Sequence, residues 1–309
     1  MKKYIIGFIT LVSVFGTQKI FAQQDPQFSQ YMFNPLNMNP GYAGSRGMMN
    51  GALVYRQQWV GFDGAPTTEV LSLNAPSRKG KVGLGMEVIN DHIGPKNSTG
   101  AYFDYAYRLP LGKGKLAFGL GAGLVGYRID WNKVTYKDAG DGYDNLNVVK
   151  ITKPDFKFGV YYNTKNFFIC ASSTHINREV YTTTQDTITF KATMSPHSYF
   201  AFGRVFRLSE GFLFSPSIMM RSANGIRQGS VDLNLNFKLK NVLWFGVSLR
   251  SEKSLVALVQ YNINDVFKIG YSYDMTMSRL RNFESGTHEF VLGFDLNVFQ
   301  SQTMSPRFF

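Results

Sequence analysis

Residues 289–298 read Glu-Phe-Val-Leu-Gly-Phe-Asp-Leu-Asn-Val. Successive side chains of an extended strand point to opposite faces. One face of this stretch therefore carries only apolar side chains: Phe290, Leu292, Phe294, Leu296 and Val298. The opposite face carries Glu289, Gly293, Asp295 and Asn297. A strand with an apolar outer face and a polar inner face is typical of a transmembrane β-barrel.

The same alternation recurs in residues 268–277 and 230–240. In the second stretch, the polar face consists of Ser230, Asp232, Asn234, Asn236, Lys238 and Lys240. A face this polar does not fit the core of a soluble sandwich, because buried polar groups without partners are costly. We therefore expect water or a polar lumen behind it.

Residues 82–89 and 116–127 also alternate, but their inner face is rich in glycine: Gly83, Gly85, Gly119, Gly121 and Gly123. Glycine inside a strand marks a bend or the close approach of another backbone. Curvature of the wall is the simpler interpretation, and packing of another segment against the inner wall is the alternative.

These patterns predict an all-β fold, a single antiparallel transmembrane β-barrel of about 14 strands, each near the ten residues that a tilted membrane strand needs. An even strand number places both termini on one side, which we expect to be the periplasm. The short connections at residues 76–81, 111–115, 163–166 and 208–211 are then periplasmic turns, and the longer ones at residues 130–154 and 177–196 are surface loops. Lysine and arginine predominate in the turns, whereas Asp138, Asp141 and Asp144 lie in the first of these loops.

Residues 1–22 begin with Lys2 and Lys3, continue with an apolar run and end at Ala22. This pattern predicts a secretory signal peptide, after which residues 23–46 form a segment outside the strands, residues 47–299 form the barrel and residues 300–309 form a periplasmic tail. The only cysteine, Cys170, lies far from the new amino terminus, which excludes both a lipid anchor there and an internal disulfide. The formal charge of +12 suits anionic lipid or an acidic protein, since an exported chain does not meet nucleic acid first.

The segment at residues 23–46 contains Pro26, Pro35 and Pro40, which forbid a continuous strand. It also carries Phe28 and Tyr31 among amide side chains. Free in solvent, these aromatic groups would expose a large apolar area. We therefore expect the segment to pack in the lumen or on the periplasmic rim.

Residue types for catalysis are present without a recognisable arrangement. His92, His175, His197 and His288 are scattered without the spacing of metal ligands, so no metal site, other cofactor or enzymatic activity is expected. Charges predicted to face inward are Asp104, Arg108, Arg204, Asp232, Arg250, Lys268, Asp274 and Glu289. They either line a pore or form ion pairs that brace a plugged lumen, and the second interpretation is preferred.

Several motifs together carry a resemblance to a known family. Residues 24–36 read QDPQFSQYMFNPL, residues 39–47 NPGYAGSRG and residues 56–66 RQQWVGFDGAP. Shorter motifs follow: NDHIGP at 90–95, GYSYD at 270–274, THE at 287–289 and SPRFF at 305–309. Across the mature chain the sequence resembles the PorP/SprF family, although Gly41 stands where that family more commonly has alanine.

The resemblance implies an outer-membrane component of the type IX secretion and gliding machinery. Family members are associated either with the periplasmic ring of lipoprotein and partner subunits or with export and surface attachment of adhesins. The residues expected to contact partners are Asp25, Pro26, Phe28, Tyr31, Asn34, Pro35, Asn39, Pro40, Ser305, Pro306, Arg307, Phe308 and Phe309. The rival hypothesis is an outer-membrane channel for a small solute.

Overall fold

The computed structural model describes residues 25–134, 148–178, 180–185, 188–223 and 229–298. Seventeen strands lie in these ranges. They are β1 (Met49–Gln57), β2 (Thr67–Pro76), β3 (Val82–Ile93), β4 (Lys96–Leu111), β5 (Gly114–Asp130), β6 (Val148–Asn163), β7 (Phe167–Thr174), β8 (Val180–Gln185), β9 (Ile188–Thr193), β10 (His197–Arg204), β11 (Phe206–Ser209), β12 (Phe212–Ala223), β13 (Gly229–Leu239), β14 (Leu243–Arg250), β15 (Ser254–Asn262), β16 (Phe267–Thr276) and β17 (Thr287–Leu296). Short 3-10 turns occur at Tyr31–Phe33, Pro35–Asn37, Pro40–Tyr42, Trp131–Lys133 and Arg279–Asn282.

Fourteen of these strands form a closed antiparallel barrel, which confirms the predicted fold class. The ring closes because β1 pairs with β17 and because β10 pairs with both β7 and β12. Strand β11 is the additional one: beyond Val205 it pairs with β12 alone. Strands β8 and β9 form a separate hairpin. No described helix is long and apolar enough to cross a membrane.

Connections of different lengths gather at the two ends of the barrel. One end, here the turn end, carries the joins at residues 77–81, 112–113, 164–166, 240–242 and 263–266. The other, here the loop end, carries the longer joins at residues 58–66, 131–147, 175–196 and 277–286. Two predicted loops are shorter than expected: β6 already begins at Val148, and the hairpin of β8 and β9 occupies most of residues 177–196.

The two faces of the wall follow the predicted alternation. In β17, Phe290 and Leu292 are about half exposed, whereas Glu289 and Val291 are buried. Arg204 is a correction, because it lies exposed on the outer face. Its neighbours on β10, Ala201 and Gly203, point inward, and the two-residue period then turns Arg204 outward.

Residues 25–47, called the lumen segment from here on, run through the inside of the barrel. At the loop end, the Thr174 hydroxyl donates to Asp25 Oδ2 at 3.3 Å. At the turn end, Gly44 N donates to Asn74 Oδ1 at 3.0 Å. The start of β1 and the end of β17 share the turn end, but Asp25 lies at the opposite end because the segment crosses the lumen. The expectation of one common side therefore fails for Asp25.

The inward glycines make room for this segment. A Cβ atom at Gly119 would overlap the Gly41 backbone, and one at Gly83 would overlap the Ala43 carbonyl. Wall curvature, the simpler interpretation from the sequence, is therefore wrong at these two positions. Close approach of another backbone explains them.

The lumen segment is a succession of tight turns, which its proline and asparagine residues favour. Pro35 and Pro40 open two of the 3-10 turns, where a missing N–H costs little. The Asn39 side chain accepts from Gly41 N at 2.8 Å and donates to Val160 O of β6 at 3.1 Å. One side chain thus both caps a turn and fastens it to the wall.

Candidate functional site in the lumen

A buried ionic network holds the lumen segment near Ser29. Arg56 on β1 contacts Asp274 on β16 at 2.7 Å and Glu289 on β17 at 2.8 Å, and all three are nearly inaccessible to solvent. The Ser29 hydroxyl donates to Asp274 Oδ2 at 2.6 Å. The backbone N–H groups of Ser29 and Gln30 each donate to Glu289 at 2.8 Å. Charge on the wall thus directly orders the backbone of the segment.

The network continues to β12, β13 and β14. Arg221 contacts Asp232 at 2.9 Å, and Arg250 lies 3.3 Å from Asp232 and 3.5 Å from Asp274. The Asn234 side chain bonds to the Tyr31 hydroxyl of the lumen segment. Buried charges need partners, and these charges find them across neighbouring strands.

A second ion pair lies on the facing wall. Lys157 Nζ contacts Glu87 Oε1 at 2.8 Å and stands 3.7 Å from the centre of the Tyr102 ring. Asp104 is fully buried nearby, and its carboxylate has no hydrogen-bond partner in the described part of the chain. With the exception of Arg204, the charges predicted to face inward are buried. The pairs among them favour a braced lumen over an open pore lined by charge.

A third cluster lies at the loop end around Asp25. His175 directly follows β7, and its Nε2 lies 2.8 Å from Asp25 Oδ1 while its Nδ1 lies 2.6 Å from Asp155 Oδ2. The Tyr102 hydroxyl donates to the same Asp155 oxygen at 2.6 Å. His197, the first residue of β10, has its Nδ1 3.4 Å from Asp25 Oδ2. The two histidine rings stand edge to face, 5.9 Å apart.

The charges of this cluster shift its titration. Burial alone would lower the pKa of His175, but the Asp25 and Asp155 carboxylates raise that pKa to about 10. Burial alone would raise the pKa of Asp25, but His175 and His197 hold it well below its usual range. Without other ligands, Asp25 is therefore ionised and His175 is protonated at neutral pH.

The expectation of scattered histidines is wrong for His175 and His197. They meet because β7 and β10 are hydrogen-bonded neighbours, although a hairpin separates them in sequence. His288 stays apart from them, paired with the Tyr271 hydroxyl at 2.8 Å. No spacing along the chain signals such a meeting, since it depends on how the ring of strands closes.

A small cavity of about 70 Å³, partly open to solvent, lies between the lumen segment and the wall. Asp25, Asp91, Lys157, His175 and Arg221 are among the residues that line it. Apolar side chains also line it, among them Met38, Val125, Met194 and Met219. The Asp25 cluster thus borders open space.

The predicted partner-binding residues fall into two groups. Those of the lumen segment are buried or half-buried against the barrel's own wall: Asp25, Pro26, Phe28, Tyr31, Asn34, Pro35, Asn39 and Pro40. Asn34, for example, accepts from the Ser72 hydroxyl of β2 at 2.9 Å. Ser305, Pro306, Arg307, Phe308 and Phe309 lie outside the described residues, as does the predicted signal peptide.

Sequence reasoning missed several wall residues that hold the segment, among them Arg56, Asp155 and Lys157. A usable signal existed for Arg56, because it shares the inner face of β1 with Val54. Asp155 and Lys157 alternate with the exposed Phe156 and Phe158, so the same two-residue period could have placed them on the inner face of β6.

The family model for the type IX secretion system membrane protein PorP/SprF matches residues 20–294. No curated protein matches the chain. Among solved structures, a Pseudomonas aeruginosa FadL homologue shares 8% identity with a TM-score of 0.48, covering 88% of this chain and 95% of its own.

Two other solved structures are similarly distant. The Pseudomonas putida toluene transporter TodX shares 9% identity with a TM-score of 0.46, covering 91% of this chain and 96% of its own. Acinetobacter baumannii Omp33, an outer membrane protein, shares 7% identity with a TM-score of 0.45, covering 81% and 97%. At these identities, the likeness concerns the fold alone.

Proposed function

The chain belongs to the family of type IX secretion system membrane proteins PorP/SprF, and from this premise we propose that it is a non-enzymatic scaffold barrel of the outer membrane. In this role it binds other components of the secretion system rather than conducting solutes. The expected partners are periplasmic ring subunits, including a lipoprotein, and a secreted adhesin.

The observation that carries the proposal is the occupation of the lumen by the chain's own segment. Ser29, Gln30, Leu36, Asn39 and Tyr42 of that segment are each at most 5% exposed. Bonds to charged groups hold it to the wall at Glu289 and Asp274. A pore for solutes needs an open path, whereas a scaffold gains rigidity from a filled lumen.

The turn end offers the surface for partners. Its exposed basic side chains outnumber its exposed acidic ones, Glu210 and Asp265. The basic residues are Arg78, Lys79, Lys81, Lys113, Lys165, Arg204, Arg207 and Lys240. We place this end in the periplasm, where the tail with Ser305–Phe309 adds a docking segment. A basic rim of this kind attracts an acidic protein surface.

Affinity purification of the full chain tests the partner proposal. Wild type is compared with the charge reversal K79E/K81E at the turn end and with K133E, an exposed lysine at the loop end, as control. We expect the first variant to lose co-purifying secretion subunits and the control to keep them. Failure of the folded wild type to recover any ring subunit or adhesin would contradict the proposal.

The tail is tested by truncation after Phe299. Recovery of partners should weaken while insertion into the membrane stays intact. If the truncated chain recovers the same partners in the same amounts, the tail has no docking role.

A solute channel remains the second candidate, and the cavity beside Asp25 is the observation that favours it. Ion conductance in a planar bilayer separates the two, with a variant lacking residues 23–46 as comparison. The scaffold proposal requires low conductance for wild type and a large increase after deletion. High conductance of the intact barrel would support the channel instead.

A further inference from the structure

We propose that Asp25, His175 and His197 form a binding site for a divalent transition metal of the zinc class, which latches the lumen segment to the wall. The donor atoms of these three residues lie within 4.8 Å of one another. They come from the lumen segment, from the residue after β7 and from the start of β10. The inference is independent of the proposed secretion role.

The spacing of the donor atoms fits a metal after small adjustments. Asp25 Oδ1 and His175 Nε2 are 2.8 Å apart, and Asp25 Oδ2 and His197 Nδ1 are 3.4 Å apart. Zinc bonds of about 2.0–2.1 Å place tetrahedral ligand atoms about 3.3 Å from each other. The donor atoms lie within 4.8 Å of one another, so each pair reaches this spacing by a shift of at most about 1.5 Å, and zinc displaces the Nε2 proton of His175 to water.

The surroundings of His175 are those of a metal ligand. Its Nδ1 is bonded to the Asp155 carboxylate, which is itself held by the Tyr102 hydroxyl. Histidines that bind metals donate their second ring N–H to a carboxylate or carbonyl in this way, which orients the ring and makes the ligand nitrogen more basic. Asp155 would therefore position His175 without contacting the ion.

One ring nitrogen of His197 has no hydrogen-bond partner among the described residues. Its Nδ1 lies 3.0 Å from the Ser195 carbonyl, and its Nε2 is buried with no hydrogen-bond partner in the described ranges. A buried ring nitrogen without a partner is costly. Nδ1 is the ring nitrogen that lies near Asp25, so an ion bound there replaces the Ser195 contact, and the ring proton then resides on Nε2.

The donor set selects the class of ion. Two imidazoles with one carboxylate suit zinc and its neighbours in the transition series, whereas magnesium and calcium prefer oxygen ligands. Three protein ligands leave a fourth position for water. Asp25 and His175 line the cavity of about 70 Å³, which has room for that water.

The test is metal content of the full chain, purified in detergent through an affinity tag without histidine. After incubation with zinc chloride and removal of free metal, we expect about one zinc per wild-type chain by elemental analysis. An excess of magnesium should not displace it. H175Q and H197Q should each lose this zinc, while H92Q and H288Q, which change histidines elsewhere, should keep it.

Two further measurements distinguish loss of the zinc site from misfolding of the variants. D155N should keep its fold and bind zinc about 10–100-fold more weakly, as changes next to metal ligands do. Zinc should raise the unfolding temperature of wild type but not that of H197Q, whose fold is checked by circular dichroism. Wild type that holds no more zinc than H197Q, or equal losses in H92Q and H175Q, would overturn the proposal.

Discussion

Replacing Glu289 by alanine should loosen the lumen segment without breaking the wall. Glu289 accepts from the backbone N–H groups of Ser29 and Gln30, both at 2.8 Å and both buried. Arg56 loses its 2.8 Å contact with Glu289 but keeps Asp274 at 2.7 Å, so it stays paired inside the wall. The loss therefore falls mainly on the contact between segment and wall.

The structure sets the size of the effect. A hydrogen bond to a charged acceptor contributes about 1.5–3 kcal/mol, so two such bonds contribute about 3–6 kcal/mol to holding the segment. Each 1.4 kcal/mol changes an equilibrium about tenfold. Local opening around Ser29 should therefore become roughly 10²–10⁴ times more populated in E289A.

Hydrogen exchange read by mass spectrometry measures this opening. Exchange of the Ser29 and Gln30 amides should accelerate by the same factor, while amides of β4 and β5 keep their protection. E69A is the matched control, because Glu69 on β2 is exposed and accepts a weak bond from Asn90 at 3.4 Å on the outer surface, far from the lumen segment. Unchanged exchange at Ser29 in folded E289A would refute the reasoning.

Three further changes test other parts of the lumen. G119A should displace the lumen segment and speed its proteolysis, whereas G126A on the same strand should not, because its added Cβ would meet the nearest atom at an ordinary 3.5 Å. R56M should lower the free energy of unfolding by about 3–5 kcal/mol, since it leaves buried carboxylates unpaired. R128M should lower it by less than about 1 kcal/mol, because the Arg128 side chain is 57% exposed. L36A should lower the free energy of unfolding by about 2–5 kcal/mol, because Leu36 is fully buried. Denaturant titrations measure the stabilities of R56M, R128M and L36A.

The barrel could be predicted from the sequence because a membrane strand repeats one rule over its whole length. Residues 289–298 display that rule, and the bilayer allows no unpaired strand edge, so closure follows. The prediction of which side chains face inward fails at the end of a strand, where few residues of the alternation remain. Arg204 stands at the end of β10, and only the inward positions of Ala201 and Gly203 reveal its face.

The candidate site was less predictable than the wall. Pro26, Pro35 and the aromatic residues indicated a packed segment, but its direction through the lumen depends on contacts that form only in the closed ring. Asp25 meets His175 and His197 because β7 pairs with β10 across an intervening hairpin. Contacts of this kind produce no periodic pattern in the sequence.

The lumen segment is held at several depths, and this has a consequence for any opening of the barrel. Asp25 is bound at the loop end, Ser29 and Gln30 are bound at Glu289, and Arg46 contacts Asp295 at 3.1 Å at the turn end. Because these contacts lie at different depths along the segment, release of one leaves the segment tethered by the others. E289A alone should therefore speed exchange without raising ion conductance.

Combining E289A with D25N should change conductance. The Asp25 and Glu289 contacts share no hydrogen-bond partner among the described residues, so their free energies should add. The double variant then loosens the loop-end half of the segment, in which Ser29 keeps its bond to Asp274, and the lumen widens toward the cavity beside His175. If E289A alone conducts as well as the double variant, the contacts at Asp25 do not restrain the segment, and the loop-end cluster has another role.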